Sequence, residues 1–204
     1  MNERTRAIGS IGLFAVQWVL WGFIQECFSG QWLVDMAMEG LIWVLPALAL
    51  RIAMSGDKLL FERPFPWLPC LCLLCGSAAF LHTVRIFRDL LDTQPVFSWT
   101  MIAVSVQAGI LEELTFRGGY FDIQRKAWGF CPAAVLNGVL FVLYHQSGDL
   151  AGVTLRWLFS FRTVLIFGMG ILFCGIYQKW RNLALNMVVH TVWDILSFLF
   201  CVAV

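Results

Sequence analysis

The chain has 204 residues, 60% of them hydrophobic and 13% charged, with 18 Phe, 10 Trp and a mean hydropathy of +0.77. Soluble domains carry about 45–50% apolar and about 25% charged residues, so this composition excludes a soluble globular protein and specifies an integral membrane protein. The net charge of +1 gives no reason to invoke nucleic acid as a partner; the lipid bilayer is the partner that the composition requires.

Apolar segments run over 7–25, 36–54, 66–82, 96–124, 131–147, 163–178 and 183–204. Most approach the roughly 20 residues that a helical span needs, and none has the ten-residue alternation of a transmembrane barrel strand. The expected fold is all-α, a polytopic transmembrane helical bundle of about seven spans. With no internal repeat or linker visible, residues 1–204 form a single integral membrane domain.

The first segment follows a basic start and could mimic a signal peptide, but no small-residue cleavage site follows and Trp18 and Trp21 occupy its end. It is therefore predicted to stay as a span. The third carries Cys70, Cys72 and Cys75. A lone cluster without a second pair is weak evidence for zinc, and these cysteines are read as small buried apolar residues. Charged or turn-rich loops lie at 55–66, 88–95 and 177–182. With the N-terminus cytoplasmic and all segments spanning, 10 of the 14 Lys and Arg fall inside, Arg51 and Arg117 among them. The positive-inside rule favours that orientation, in the cell (inner) membrane.

Three polar constellations remain within the apolar segments. Glu112 and Glu113 precede Arg117; Phe141 precedes His145 by one helical turn; Asn186, His190 and Asp194 recur every four residues and share a helical face. An ionisable group inside a span costs about 2.5–3.5 kcal/mol on insertion scales and faces the bundle interior. Depth connects the constellations. Gly129 and Pro132 mark a turn between segments four and five. Glu112 and His145 lie equally far from that turn along their helices, about 24 Å at about 1.5 Å per residue. An antiparallel hairpin brings them level, and His190 lies somewhat shallower.

The two glutamates differ in prospect. Glu113 and Arg117 are spaced i, i+4 with the acid first, the favourable order for a helical ion pair. Glu112 points about 100° away and is free to face the histidines. Phe141 is expected to shape the pocket wall, and Gly118 and Gly119 to permit close helix contact. His82, beside Arg85 at a span end, reads as interfacial.

In this order on apolar helices, EELTFR, FVLYH and HTVWD resemble the motifs of the CPBP family, the CAAX protease and bacteriocin-processing membrane proteins that include the type II CAAX prenyl endopeptidases. The resemblance covers about residues 96–200. It implies an intramembrane glutamic protease that needs no cofactor, acting on a membrane-associated protein or peptide such as a CAAX-like or membrane-anchored C-terminal segment. Glu112 is then the base that activates water, His145 holds that water or stabilises the intermediate, and His190 with residue 194 lines the oxyanion side. Glu113, Arg117, Phe141 and Asn186 support them. The chemistry agrees: peptide hydrolysis needs a base for water and a donor for the developing oxyanion.

Asp194 departs from the family's asparagine. An ionised aspartate only accepts hydrogen bonds, so Asp194 is either a protonated donor or a group that orients His190. HExxH, GxGD and GxSxG motifs are absent from the sequence. Zinc held by Glu112, His145 and His190 is the alternative cofactor, since two histidines and a carboxylate form an accepted catalytic set. The alternative functions are a non-catalytic interaction or bacteriocin-immunity protein of the same fold, and a proton-coupled transporter.

Overall fold

The computed structural model describes residues 2–28, 32–55, 61–88, 97–146 and 159–199. The described residues form seven helices. These are α1 (Glu3–Phe28), α2 (32–55), α3 (Trp67–Arg88), α4 (99–128), α5 (Phe130–Tyr144), α6 (Phe161–Trp180) and α7 (Leu183–Leu199). They match the seven apolar segments one for one, and the expected all-α polytopic bundle is the fold observed. Four helices, α1, α2, α3 and α6, are long and apolar enough to cross a membrane, while α5 and α7 are shorter apolar helices. At 15 residues, α5 is about 22 Å long and so falls short of a hydrocarbon core of about 30 Å. His145 caps its C-terminal end.

Two helices change their winding midway. In α2, the turns Trp32–Glu39 and Leu45–Ser55 flank a π-helical stretch, Gly40–Val44. Pro46 has no N–H for the Ile42 carbonyl four residues back, and Gln17 of α1 supplies the missing donor to Ile42, with a second contact to the Trp43 carbonyl at 3.3 Å. In a bilayer such a carbonyl has no water to turn to. In α4, Trp99–Glu113 and Asp122–Trp128 flank the π-helical Leu114–Phe121. The wider π turn offsets the faces before and after it, so Glu112 and Glu113 need not share a face with Tyr120 and Asp122.

Local chemistry sets the ends. Ser98 caps α4 by accepting from the Met101 N–H at 3.0 Å, and Ser160 caps α6 through Thr163 at 3.2 Å. Gly129, with φ +80°, ends α4 and starts α5 at the predicted turn. Arg181, left-handed at φ 47°, ends α6.

Helix α7 lies along the first half of α4, α6 along α5, and the Leu45–Ser55 half of α2 along the π stretch of α4. Close approach depends on small residues, as in other membrane bundles. A Cβ on Gly109 would stand 2.9 Å from the Met187 carbonyl oxygen, and one on Gly119 would stand 2.6 Å from the Ala47 Cβ. Large apolar side chains such as Trp67, Leu68 and Trp99 point outward, as a lipid-facing surface requires. Cys70 is buried, but Cys72 and Cys75 are exposed on the outer face of α3, which corrects their reading as buried residues. His82 is exposed on the same helix.

One end of the bundle is tied by ions. Asp122 meets Arg51 at 3.1 Å, Arg181 at 2.8 Å and Arg125 at 3.3 Å, and Arg51 also donates to the Gly118 carbonyl at 2.6 Å. Arg181 continues to Glu62, and Asn182 donates to the Arg63 carbonyl at 2.7 Å. Arg51 and Arg117 are therefore interior partners of carboxylates and not loop charges. Their place in the count of inside cations is corrected; the orientation remains an expectation carried by the other charges.

Candidate active site

The π stretch of α4 begins directly after Glu112 and Glu113, and the α4–α7 crossing at Gly109 lies one turn before them. This places both carboxylates against α7. Glu113 is fully buried and saturated. Its Oε1 accepts from Arg117 Nη1 at 2.9 Å and lies 2.9 Å from His190 Nδ1, while Oε2 accepts from Asn186 Nδ2 at 3.0 Å. Arg117 also donates to the Gly170 carbonyl at 2.9 Å, and its guanidinium lies 4.7 Å from the centre of the Phe141 ring and 5.2 Å from that of Phe173. Such a buried cation persists only when paired and bonded.

Glu112 has the opposite environment. It is 7% exposed, and its Oε2 makes no hydrogen bond among the described residues. That oxygen lies 3.6 Å from His190 Nε2 and 4.0 Å from His145 Nε2. The three helices thus meet at one level, and His190 is as deep as the others. Both histidines are held by their far nitrogens. His145 Nδ1 is 2.8 Å from the Phe141 carbonyl, which can only accept, so Nδ1 carries the proton and Nε2 faces Glu112. His190 Nδ1 donates to Glu113 in the same way, and the His190 ring stacks on Phe173 with centroids 4.7 Å apart. The Phe141 ring lies edge-on to His145 at 4.6 Å.

Asp194 Oδ2 is 3.7 Å from His190 Nε2, beyond hydrogen-bonding distance. The bond that orients His190 comes from Glu113 instead. Asn186 lies on the same face of α7 but turns to Glu113 and to the Phe173 carbonyl, at 2.8 Å. Among the described residues, no three His, Cys, Asp or Glu side chains are disposed to hold a metal ion.

A cavity of about 370 Å³ opens beside Glu112 and His145. Its lining also includes Glu39 of α2, Gln107 of α4 and Tyr144 of α5, none of them among the sequence-predicted site residues, together with Trp21, Gln25 and Gln146. Glu39 accepts from Tyr144 Oη and, at 2.7 Å, from Gln107 Nε2. The signal for Glu39 was available. It is an acid inside an apolar run, singled out by the same cost that singled out Glu112.

A family model described as "Type II CAAX prenyl endopeptidase Rce1-like" matches residues 94–196. The UPF0177 protein YvdC of Lactococcus lactis subsp. lactis (strain IL1403) is 29% identical over 182 residues, covering 79% of this chain and 64% of that protein. The chain thus spans somewhat less than two thirds of the length of this curated relative. No solved structure gives a significant match.

Proposed function

This chain belongs to the Rce1-like family, and from that premise we propose that it is an intramembrane endopeptidase in which Glu112 activates the water that hydrolyses a peptide bond. The observation that carries this reading is Glu112 Oε2, buried, without a hydrogen bond among the described residues, and flanked by the Nε2 atoms of His190 and His145. A polar atom buried without a partner is costly, and function is a common reason for it.

In the proposed reaction, a water bound between Glu112 and His145 gives a proton to the Glu112 carboxylate while its oxygen attacks the scissile carbonyl carbon. His145 Nε2, with Nδ1 tied to Phe141, accepts a hydrogen bond from the water's other O–H, which stays on the attacking oxygen, and so fixes its direction. The tetrahedral oxyanion lies toward α7. There, His190 serves as donor when Nε2 carries a proton, since Nδ1–H is committed to Glu113. Collapse breaks the C–N bond as Glu112 passes its proton to the leaving nitrogen. No metal takes part. The substrate is a membrane-associated protein or peptide, consistent with a site set within apolar helices.

Purified protein reconstituted in liposomes with a library of membrane-anchored peptides tests this. Wild type should release fragments, and Glu112→Gln should lower the rate by about 100- to 10,000-fold, the usual range for a general base, without loss of helicity. Undiminished cleavage by Glu112→Gln sinks the assignment. Cleavage that persists in chelator, by protein without stoichiometric metal, is the expected companion result. One tightly bound zinc whose removal stops cleavage would establish the metal alternative.

A further inference from the structure

The cavity beside Glu112 has a second carboxylate. Glu39 is 7% exposed and comes from α2, a helix with none of the three motifs, at the residue just before its π stretch. π-helical turns are frequent at functional sites. Both Glu39 oxygens are engaged by donors from other helices, Tyr144 of α5 on Oε1 and Gln107 of α4 on Oε2. Three helices thus converge on this one carboxyl group. Glu39 and Glu112 line the same cavity.

The charge around this space is one-sided. Among the described residues, no Lys or Arg lines the cavity. Arg117 is committed to Glu113, and Arg162, although within electrostatic reach of His145, is exposed and outside the lining. A protonated His190, 3.6 Å from Glu112 Oε2, offsets that carboxylate, whereas Glu39 meets the cavity with only the neutral donors of Tyr144 and Gln107 beside it, which favours a cationic occupant there and disfavours an anionic one. Glu112 also lines the cavity, so an occupant there lies next to the proposed base. With a volume near the lower end of the range for small-ligand pockets, it admits one long side chain next to the reacting bond.

We infer that Glu39 is a specificity-determining residue that receives a Lys or Arg side chain of the substrate beside the scissile bond, so that the site selects a cationic peptide segment. Tyr144 and Gln107 are its positioning residues. The inference rests on the peptidase reading of the same site.

The test uses full-length protein in nanodiscs and lipid-anchored peptides in which a single Lys, norleucine or Glu is walked along the sequence. Binding is measured on the Glu112→Gln protein and cleavage on wild type. At one position, Lys should exceed norleucine by about tenfold or more in both affinity and kcat/KM, with Glu below both. Adding Glu39→Gln should collapse the Lys-to-norleucine ratio toward one. Should that variant fail to fold, Tyr144→Phe, which releases one oxygen of Glu39, should reduce the same ratio. Equal handling of Lys and norleucine at every position, or an undiminished ratio in folded Glu39→Gln, overturns the inference. Cleavage without charge preference would leave the peptidase reading standing and remove this one. Charge-selective binding that depends on Glu39, without cleavage, would do the reverse.

Discussion

At the residue scale, adjacent Glu112 and Glu113 have different roles because their partners differ. Glu113 answers three donors, from Arg117, His190 and Asn186. Removing its charge leaves Arg117 buried and uncompensated, which typically costs about 3–5 kcal/mol. Glu113→Gln should therefore lower the thermal midpoint in detergent. It should also lower turnover of the folded fraction, because the amide leaves one acceptor oxygen for the three donors Arg117, His190 and Asn186 and holds His190 less firmly; normal turnover at matched folded protein would reduce Glu113 to a counter-ion. Asp194 stands differently. Its carboxylate is 3.7 Å from His190 Nε2 and fixes nothing at that distance. Asp194→Asn should keep cleavage within about tenfold of wild type, well short of the loss of about 100-fold or more expected when an oxyanion donor is removed. An Asn variant as inactive as Glu112→Gln would return the orienting role to Asp194.

At the scale of elements, the spacing of the motifs was legible because it follows from helical geometry. Glu112 and His145 were expected level from the turn at Gly129, and their side chains lie 4.0 Å apart. Apolar runs likewise marked each helix. What the sequence could not disclose was set by long-range pairing. Arg51, Asp122 and Arg181 are far apart in the chain, and nothing in their spacing pairs them, yet they form one network. The π stretches were equally hidden, since hydropathy periodicity does not register one wide turn, and with them went the direction in which Glu39 points. The α4–α7 crossing offers a test of how packing positions the site. A side chain on Gly109 would press on the backbone of Met187 and Thr191, whereas Gly76 on α3 has open space around it. Gly109→Leu should destabilise by about 1–3 kcal/mol, as overpacking does, and depress cleavage by moving Glu112 away from His190. Gly76→Leu should change neither; equal effects at the two positions would mean that the crossing does not set the site.

On the scale of the whole molecule, a cluster of four cations marks one end. Arg63, Arg125, Lys179 and Arg181 gather where the α6–α7 turn meets the end of α4, around Asp122 and Glu62. The start of α1 lies at this end too, because Gln124 donates to Ser10 at 3.4 Å. Helix α1 then runs toward the opposite end, where Trp18 donates to the Leu143 carbonyl at 2.7 Å and Gln25 borders the cavity. If the cationic end is cytoplasmic, as the positive-inside rule requires, the cavity opens toward the other face of the membrane, and substrates reach Glu112 from there. Single cysteines in a cysteine-free background decide this. In intact cells, an impermeant thiol reagent should label Ser98→Cys, Phe159→Cys and Gln25→Cys, all at exposed positions, and should label Lys126→Cys only after the cells are opened. The reverse pattern would invert the molecule and open the cavity to the cytoplasm. A substrate-mimicking peptide that protects Gln25→Cys but not Ser98→Cys would tie the accessible face to the cavity itself, because only Gln25 borders it.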